Sequence, residues 1–129
     1  MKSSSYLIVI TRGREDGGHA ATLGAELAVT LQAMDYSVAV FLTLAGTHWA
    51  YRETGNDVRV PGHLCLEEYF ASFVAAGGEL LVCSPCIAAY CHLPAVGEAD
   101  LRRGLRENAT YVGLATVAER MMRGNATVF

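Results

Sequence analysis

Apolar, β-branched runs alternate with helix-patterned stretches along the whole of this chain, and that alternation leaves few architectures open. Tyr6 to Thr11, Ser37 to Leu44, Glu79 to Val82, Thr110 to Gly113 and Asn125 to Phe129 each read as a short strand. The first two are almost unbroken in apolar side chains, as expected of strands covered on both faces. Between the strands, Leu23, Leu27, Leu31 and Met34 share one face of a first helix. Leu66, Tyr69, Phe70, Phe73 and Val74 form the stripe of a second, with Glu67 and Glu68 at its start and Gly77-Gly78 past its end. Glu98 to Arg106 reads as a short helix, and Leu114, Val117, Ala118, Met121 and Met122 mark a last one that stops at Gly124. Strands joined through helices must run parallel, so the chain is expected to be α/β, a parallel sheet with helices on both faces. No linker, repeat or low-complexity tract interrupts residues 1–129, which read as a single domain.

Hydrophobic residues make up 52% of the chain and charged ones only 18%. A domain of this size has little interior to hide so much apolar surface, and a homo-oligomer is expected. The net charge is −3, and the basic residues are arginines apart from Lys2. They form no tract; Arg102, Arg103 and Arg106 read as a solvated helix face, and nucleic acid is not an expected partner. The apolar core of the first segment, Tyr6 to Ile10, is too short for a signal peptide, and no stretch approaches a membrane span. The expected location is the cytoplasm, with no membrane partner. Cysteines Cys65, Cys83, Cys86 and Cys91 are accordingly expected to be reactive or metal-binding rather than bridged.

Open parallel sheets bind their ligands beyond the carboxyl ends of the strands. Four segments meet there: Arg12 to Gly18, Ala45 to Gly62, Cys83 to Cys91, and the region of Gly113. Cys83-Ser84-Pro85-Cys86 follows the third strand and enters a helix. Free N–H groups and the helix dipole lower a thiol pKa at such a place, and Pro85 presets φ where no N–H is needed. Thiol–disulfide exchange, persulfide carriage and metal binding all fit the motif; two inert buried cysteines are the plain alternative. Cys91 and His92, with His63 and Cys65 earlier, supply further soft ligands. Their spacing matches no common structural zinc pattern, so Cys83, Cys86, Cys91 and His92 stand as an alternative metal set and no cofactor is expected. His48 is a candidate general base or stabiliser of a sulfur anion, against a merely solvated histidine. His19, His63 and His92 read as solvated. The loop Gly13 to Gly18 lacks both phosphate-binding glycine signatures and reads as a turn capping the first helix. The connection from Ala45 to Gly62, with His48, Trp49, Tyr51 and Pro61, is long enough to suggest a functional segment.

Several stretches together resemble the small bacterial DsrE-like proteins, the group holding the DsrE/DsrF and TusD-type sulfur-relay subunits. They are Val60-Pro61-Gly62 before the amphipathic helix, the run from Ala75 through Gly77-Gly78 to Cys83-Ser84-Pro85-Cys86, and the ending from Ala115 to Glu119 and Gly124 to Phe129. The resemblance spans nearly the whole chain, most specifically Val60 to Cys86 and most loosely Thr11 to Gly55. It implies a three-layer α/β/α domain on a five-stranded parallel sheet, commonly assembled into trimers or hexamers. In relay members a cysteine just after a central strand carries sulfur as a persulfide between donor and acceptor proteins. That position falls on Cys83 or Cys86, and Cys86-Ile87-Ala88-Ala89 looks closest to the relay pattern. Two features depart from it: Arg102-Arg103-Gly104 comes late, after an inserted Cys91-His92-Leu93-Pro94, and a second cysteine lies three residues from the first.

Three functions follow as expectations. The first is sulfur relay, with Cys86 as carrier, Cys83 assisting and His48 stabilising. The second is thiol–disulfide exchange, because Cys-Ser-Pro-Cys looks like a thioredoxin-type motif, although the thioredoxin strand order is missing. The third is a non-enzymatic oligomeric module that binds a small ligand or a metal at the rim.

Overall fold

The computed structural model describes residues 5–90 and 104–129. Its strands are Ser5–Ile10 (β1), Ser37–Leu42 (β2), Glu79–Cys83 (β3), Ala109–Val112 (β4) and Asn125–Val128 (β5). The helices are His19–Ala33 (α1), Leu66–Ala75 (α2), Ser84–Tyr90 (α3) and Leu114–Arg123 (α4), with 3₁₀ turns at Arg14–Asp16 and Leu44–Ala50. All strand pairings are parallel, in the order β4-β3-β2-β1-β5. The expected α/β class and five-stranded parallel sheet are what the chain adopts.

The sheet divides the core in two. On one face Ile8, Ile10, Val40, Leu42, Leu80 and Val82 pack beneath α1 and α2. On the other, Leu7, Val9, Ala39, Phe41, Leu81 and Cys83 pack with Val117 of α4. The period-2 alternation of a strand produces this division. It also decides which side chains can reach the site, because Cys83 lies on the face of Leu81 and not that of Val82.

α2 buries Leu66, Tyr69, Phe70 and Phe73, the expected stripe. The face expected of α1 is corrected. Leu23 is 50% exposed and Met34 60% exposed, while Ala21, Thr22, Gly24, Ala25, Ala28 and Leu31 point inward. α1 lies against both the sheet and α2, and small residues let a helix come close where leucines would hold it off. In α4 only Val117 is buried, and Leu114, Met121 and Met122 stay exposed. The helix expected from Glu98 to Arg106 falls mostly outside the described residues. Its described end is not helical: Leu105 forms an isolated antiparallel bridge with Tyr51.

Arg106 is corrected too. It is 6% exposed, so it belongs to no solvated face. Its Nη1 and Nη2 donate to the Glu67 carboxylate at 2.5 and 2.9 Å, Nε donates to the Trp49 carbonyl at 2.7 Å, and Nη2 reaches Thr54 Oγ1 at 3.2 Å. The guanidinium also sits 4.5 Å from the centre of the Phe70 ring. One buried cation thereby ties the long connection after β2 to the start of α2.

Burial pushes the Glu67 carboxyl up, but hydrogen bonds and charge from Arg106, with the N–H groups of Gly55 and Glu53, outweigh it and hold the carboxyl low. A depressed carboxyl stabilises the fold above its unfolded value, and that contribution is lost as pH falls through the folded one. Arg106→Ala should therefore cost about 3 kcal/mol at neutral pH, as expected when one partner of a buried pair is removed. The acid-side fall in stability should also be shallower in the variant. Urea unfolding followed by fluorescence of Trp49, the single tryptophan, checks both; an unchanged midpoint would refute the bracing role.

Candidate functional site

Register brings the site together. Leu42 of β2 pairs with Val82 of β3, so the next residues along, Thr43 and Cys83, end up side by side at the carboxyl rim. Alternation puts Thr43 on the face of Phe41 and Cys83 on the face of Leu81, which is the same face. The chain then turns into α3, and the third residue of that helix, Cys86, returns over both.

The two sulfurs are 2.9 Å apart, Cys83 Sγ donating to Cys86 Sγ, with both cysteines as free thiols. Thr43 Oγ1 lies 3.6 Å from Cys86 Sγ. Burial pushes the Cys83 thiol up, and its bond to Cys86 pushes it further. Burial also acts to raise Cys86, but donation from Cys83, Thr43 and the Leu44 N–H outweighs it, and the Cys86 thiol is lowered. The proton of the pair belongs on Cys83 and the anion on Cys86. Cys83 is 8% exposed while Cys86 is half-buried, so the sulfur that carries charge is also the one a reagent can reach.

Leu44 has φ of +52°, a left-handed conformation rare for a branched side chain. It begins the 3₁₀ turn immediately after β2, and its N–H is the one that faces Cys86. Two residues on, a Cβ at Gly46 would drive into the Ile10 carbonyl. With no side chain there, the turn crosses the end of β1 closely enough for Gly46 N–H to donate to the Thr11 carbonyl at 3.2 Å.

His48 lies on this turn but is engaged elsewhere. Its Nε2 accepts from Arg14 Nε at 2.8 Å, and its ring meets Trp49 edge-on at 4.8 Å. Burial first, then the positive charge of Arg14, lowers its pKa. It forms no hydrogen bond to either cysteine among the described residues; Thr43 and Leu44 make those contacts. Arg14 also grips the Asp57 carboxylate and the Thr54 carbonyl. The loop between β1 and α1 and the long connection after β2 are thus stitched into one structure.

The first loop caps its helix, as its sequence suggested. Asp16 accepts from the N–H groups of Gly18 and Ala20, both at 3.0 Å. Gly17 and Gly18, at φ of +74° and +81°, make the turn that allows it. A carboxylate of the chain holds the place where a bound phosphate would sit in a dinucleotide fold.

The wider set of soft ligands does not converge. Cys65 Sγ donates to the Gly55 carbonyl at 3.1 Å, and His63 Nδ1 pairs with Glu26 on α1 at 3.1 Å. Both lie on the α1/α2 side of the sheet, away from Cys83 and Cys86. Cys91 and His92 lie outside the described residues, and no group of three or more metal-ligating side chains occurs among the described ones.

A three-layer α/β domain with a paired-thiol rim is the class that this fold and site define. The solved structures include a match to the crystal structure of the ychN protein from E. coli, with a TM-score of 0.68 over 97% of this chain and 99% of that one, at 14% identity. No curated protein matches the sequence. The chain belongs to the DsrE/DsrF-like family, whose model matches residues 4–129.

Two of the residues that shape the site, Thr43 and Leu44, were not singled out in the sequence. Strand alternation put Thr43 on the face of Phe41; the register that sets it against Cys83 had no local signal. Thr43→Val should shift the pH dependence of Cys86 alkylation upward without unfolding the protein, because one donor to the anion is lost. Cys83→Ala should do the same, because the donor at that position is removed. Iodoacetamide rates resolved by peptide mapping test both, and in the unaltered protein Cys86 should react well ahead of Cys83 and Cys65. Equal rates for Cys83 and Cys86 would contradict the assigned proton.

Proposed function

We propose that the protein accepts sulfane sulfur on Cys86 as a persulfide and hands it to an acceptor thiol. The observation that carries this reading is the half-buried Cys86 sulfur, with Thr43 and Cys83 arranged to hold it as an anion at the rim. Such a thiolate attacks the outer sulfur of a donor such as thiosulfate. The donor S–S bond breaks, a new S–S bond forms on Cys86, and sulfite leaves with the electron pair. The negative charge then rests on the added sulfur, at the open side of the site. Membership of a family generally related to sulfur relay supports the same reading.

The partners are a sulfur donor and a sulfur acceptor, and the working form is a homo-oligomer, a trimer or hexamer. Leu114 at 72% exposure and Met122 at 88% give α4 apolar side chains for neighbouring copies to cover. None of the described helices is long and apolar enough to cross a membrane, in keeping with the proposed cytoplasmic location. Thiol–disulfide exchange is the second reading, and the 2.9 Å separation of the sulfurs is the observation that favours it.

Intact mass spectrometry of the reduced protein after exposure to a sulfane-sulfur donor tests the proposal. Sulfur uptake, read as donor consumed with a change in protein mass, should disappear in Cys86→Ser and persist in Cys65→Ser. Uptake that survives Cys86→Ser would remove Cys86 as carrier. Light scattering should give a mass of three or six chains, and Met122→Glu should lower it.

A further inference from the structure

A second thiol pressed against the carrier can do more than hold it as an anion, because it is also within reach of the persulfide formed there. Cys83 Sγ lies 2.9 Å from Cys86 Sγ, it is buried behind it, and it is a free thiol. Sulfur arriving from solution attaches to the more exposed Cys86, while the enclosed Cys83 stays in contact with the Cys86 sulfur. Disulfide exchange needs an entering sulfur within contact of the sulfur whose bond breaks, and Cys83 is already there.

We propose that Cys83 resolves the Cys86 persulfide internally, so that the protein reduces sulfane sulfur to sulfide and is left with a Cys83–Cys86 disulfide. The inference rests on the persulfide reading above and concerns what becomes of the persulfide. Cys83 Sγ attacks Cys86 Sγ, the bond between Cys86 Sγ and the outer sulfur breaks, and the outer sulfur departs as hydrosulfide. The thiol proton of Cys83 goes to the departing sulfur, so proton and charge balance within the pair. Cys83 and Cys86 are together oxidised by two electrons and the sulfane sulfur is reduced by two. No outside oxidant is needed, and a dithiol reductant returns the pair to its starting state. Before loading, the high thiol pKa of Cys83 keeps it protonated and inert. After loading, the thiolate of Cys86 is gone, and hydrosulfide is a better leaving group than an alkyl thiolate. Motion is small: the two sulfurs close from contact to bond distance, about 2.05 Å. The neighbouring thiol shortens the life of the persulfide, so release of sulfide competes with forwarding to an acceptor. A thiol acceptor sees persulfide only if it arrives before Cys83 attacks.

The test uses reduced protein without air or reductant, thiosulfate as donor, and glutathione persulfide as a second donor. Sulfite or glutathione released counts loading, and sulfide released counts resolution. In the unaltered protein, sulfide should match the loading product one for one. Intact mass should show the loss of two hydrogens and no retained sulfur, with peptide mapping placing the disulfide at Cys83 and Cys86. In Cys83→Ser, and in Cys83→Ala as a second variant should the first fold poorly, loading should still run to completion, more slowly where the donor to Cys86 is lost, while sulfide released per sulfur loaded falls at least tenfold and the added sulfur stays on Cys86. Loading with sulfur retained in the unaltered protein and no sulfide would overturn the inference and leave the carrier reading standing. Sulfide release undiminished in both Cys83 variants would also overturn it. Absence of loading from either donor would overturn both readings together.

Discussion

Parallel pairing of β2 with β3 is the constraint on which the site depends. Their register sets Thr43 beside Cys83, and the parity of the strands turns both side chains to the same face of the sheet. α3 then needs only its first turn to bring Cys86 over them. A slip of one residue in that pairing would turn Cys83 to the opposite face and separate the sulfurs. The pairing is secured from both sides, because β2 is also bound to β1 along six residues and β3 is bound to β4. A site at the meeting point of interior strands inherits the rigidity of the best-protected part of the sheet.

Around this rigid centre the connecting segments are held by charge. Arg14 fastens the first loop to the long connection after β2, and Arg106 fastens that connection to α2. The two differ in environment: the Arg14–Asp57 pair is open to water and screened, whereas Arg106 and Glu67 are largely enclosed. Exposed pairs of that kind contribute little to stability, and enclosed ones are costly to break. The connection is therefore anchored at its Arg106 end and more lightly held where it meets the first loop. Trp49 joins the two regions, donating its indole N–H to the Arg12 carbonyl at 2.8 Å while its own carbonyl accepts from Arg106.

Strand alternation and apolar runs made the architecture readable: all five strands stand where their patterns placed them, to within two residues at the ends, and α1, α2 and α4 cover the stretches whose apolar patterns marked them. The stripe of α2 was equally plain, because a helix packed on one side announces its buried face. α1 was misread in part: Leu31 is buried as its pattern suggested, but most of the contact is made by alanines and a glycine, which carry little hydropathy signal, while Leu23 and Met34 face water. Arg106 was misread for a related reason. A buried arginine is identified by the carboxylate and carbonyls that meet it, and those come from Glu67, Trp49 and Thr54, distant along the chain. The Cys83 and Cys86 pair was visible from its spacing. The residues that divide the proton between them were not, because Thr43 and Leu44 act through a register that nothing local encodes.

The carboxylate of Asp16 has a consequence for how the rim treats small anions. It lies two residues from the N–H group of Gly18 and four from that of Ala20. A ligand tethered this closely acts as an intramolecular competitor, with an effective concentration in the millimolar range or above. Free phosphate, nucleotides and other oxyanions must outcompete it to reach those donors. The first loop is thereby buffered against occupancy by abundant phosphorylated solutes.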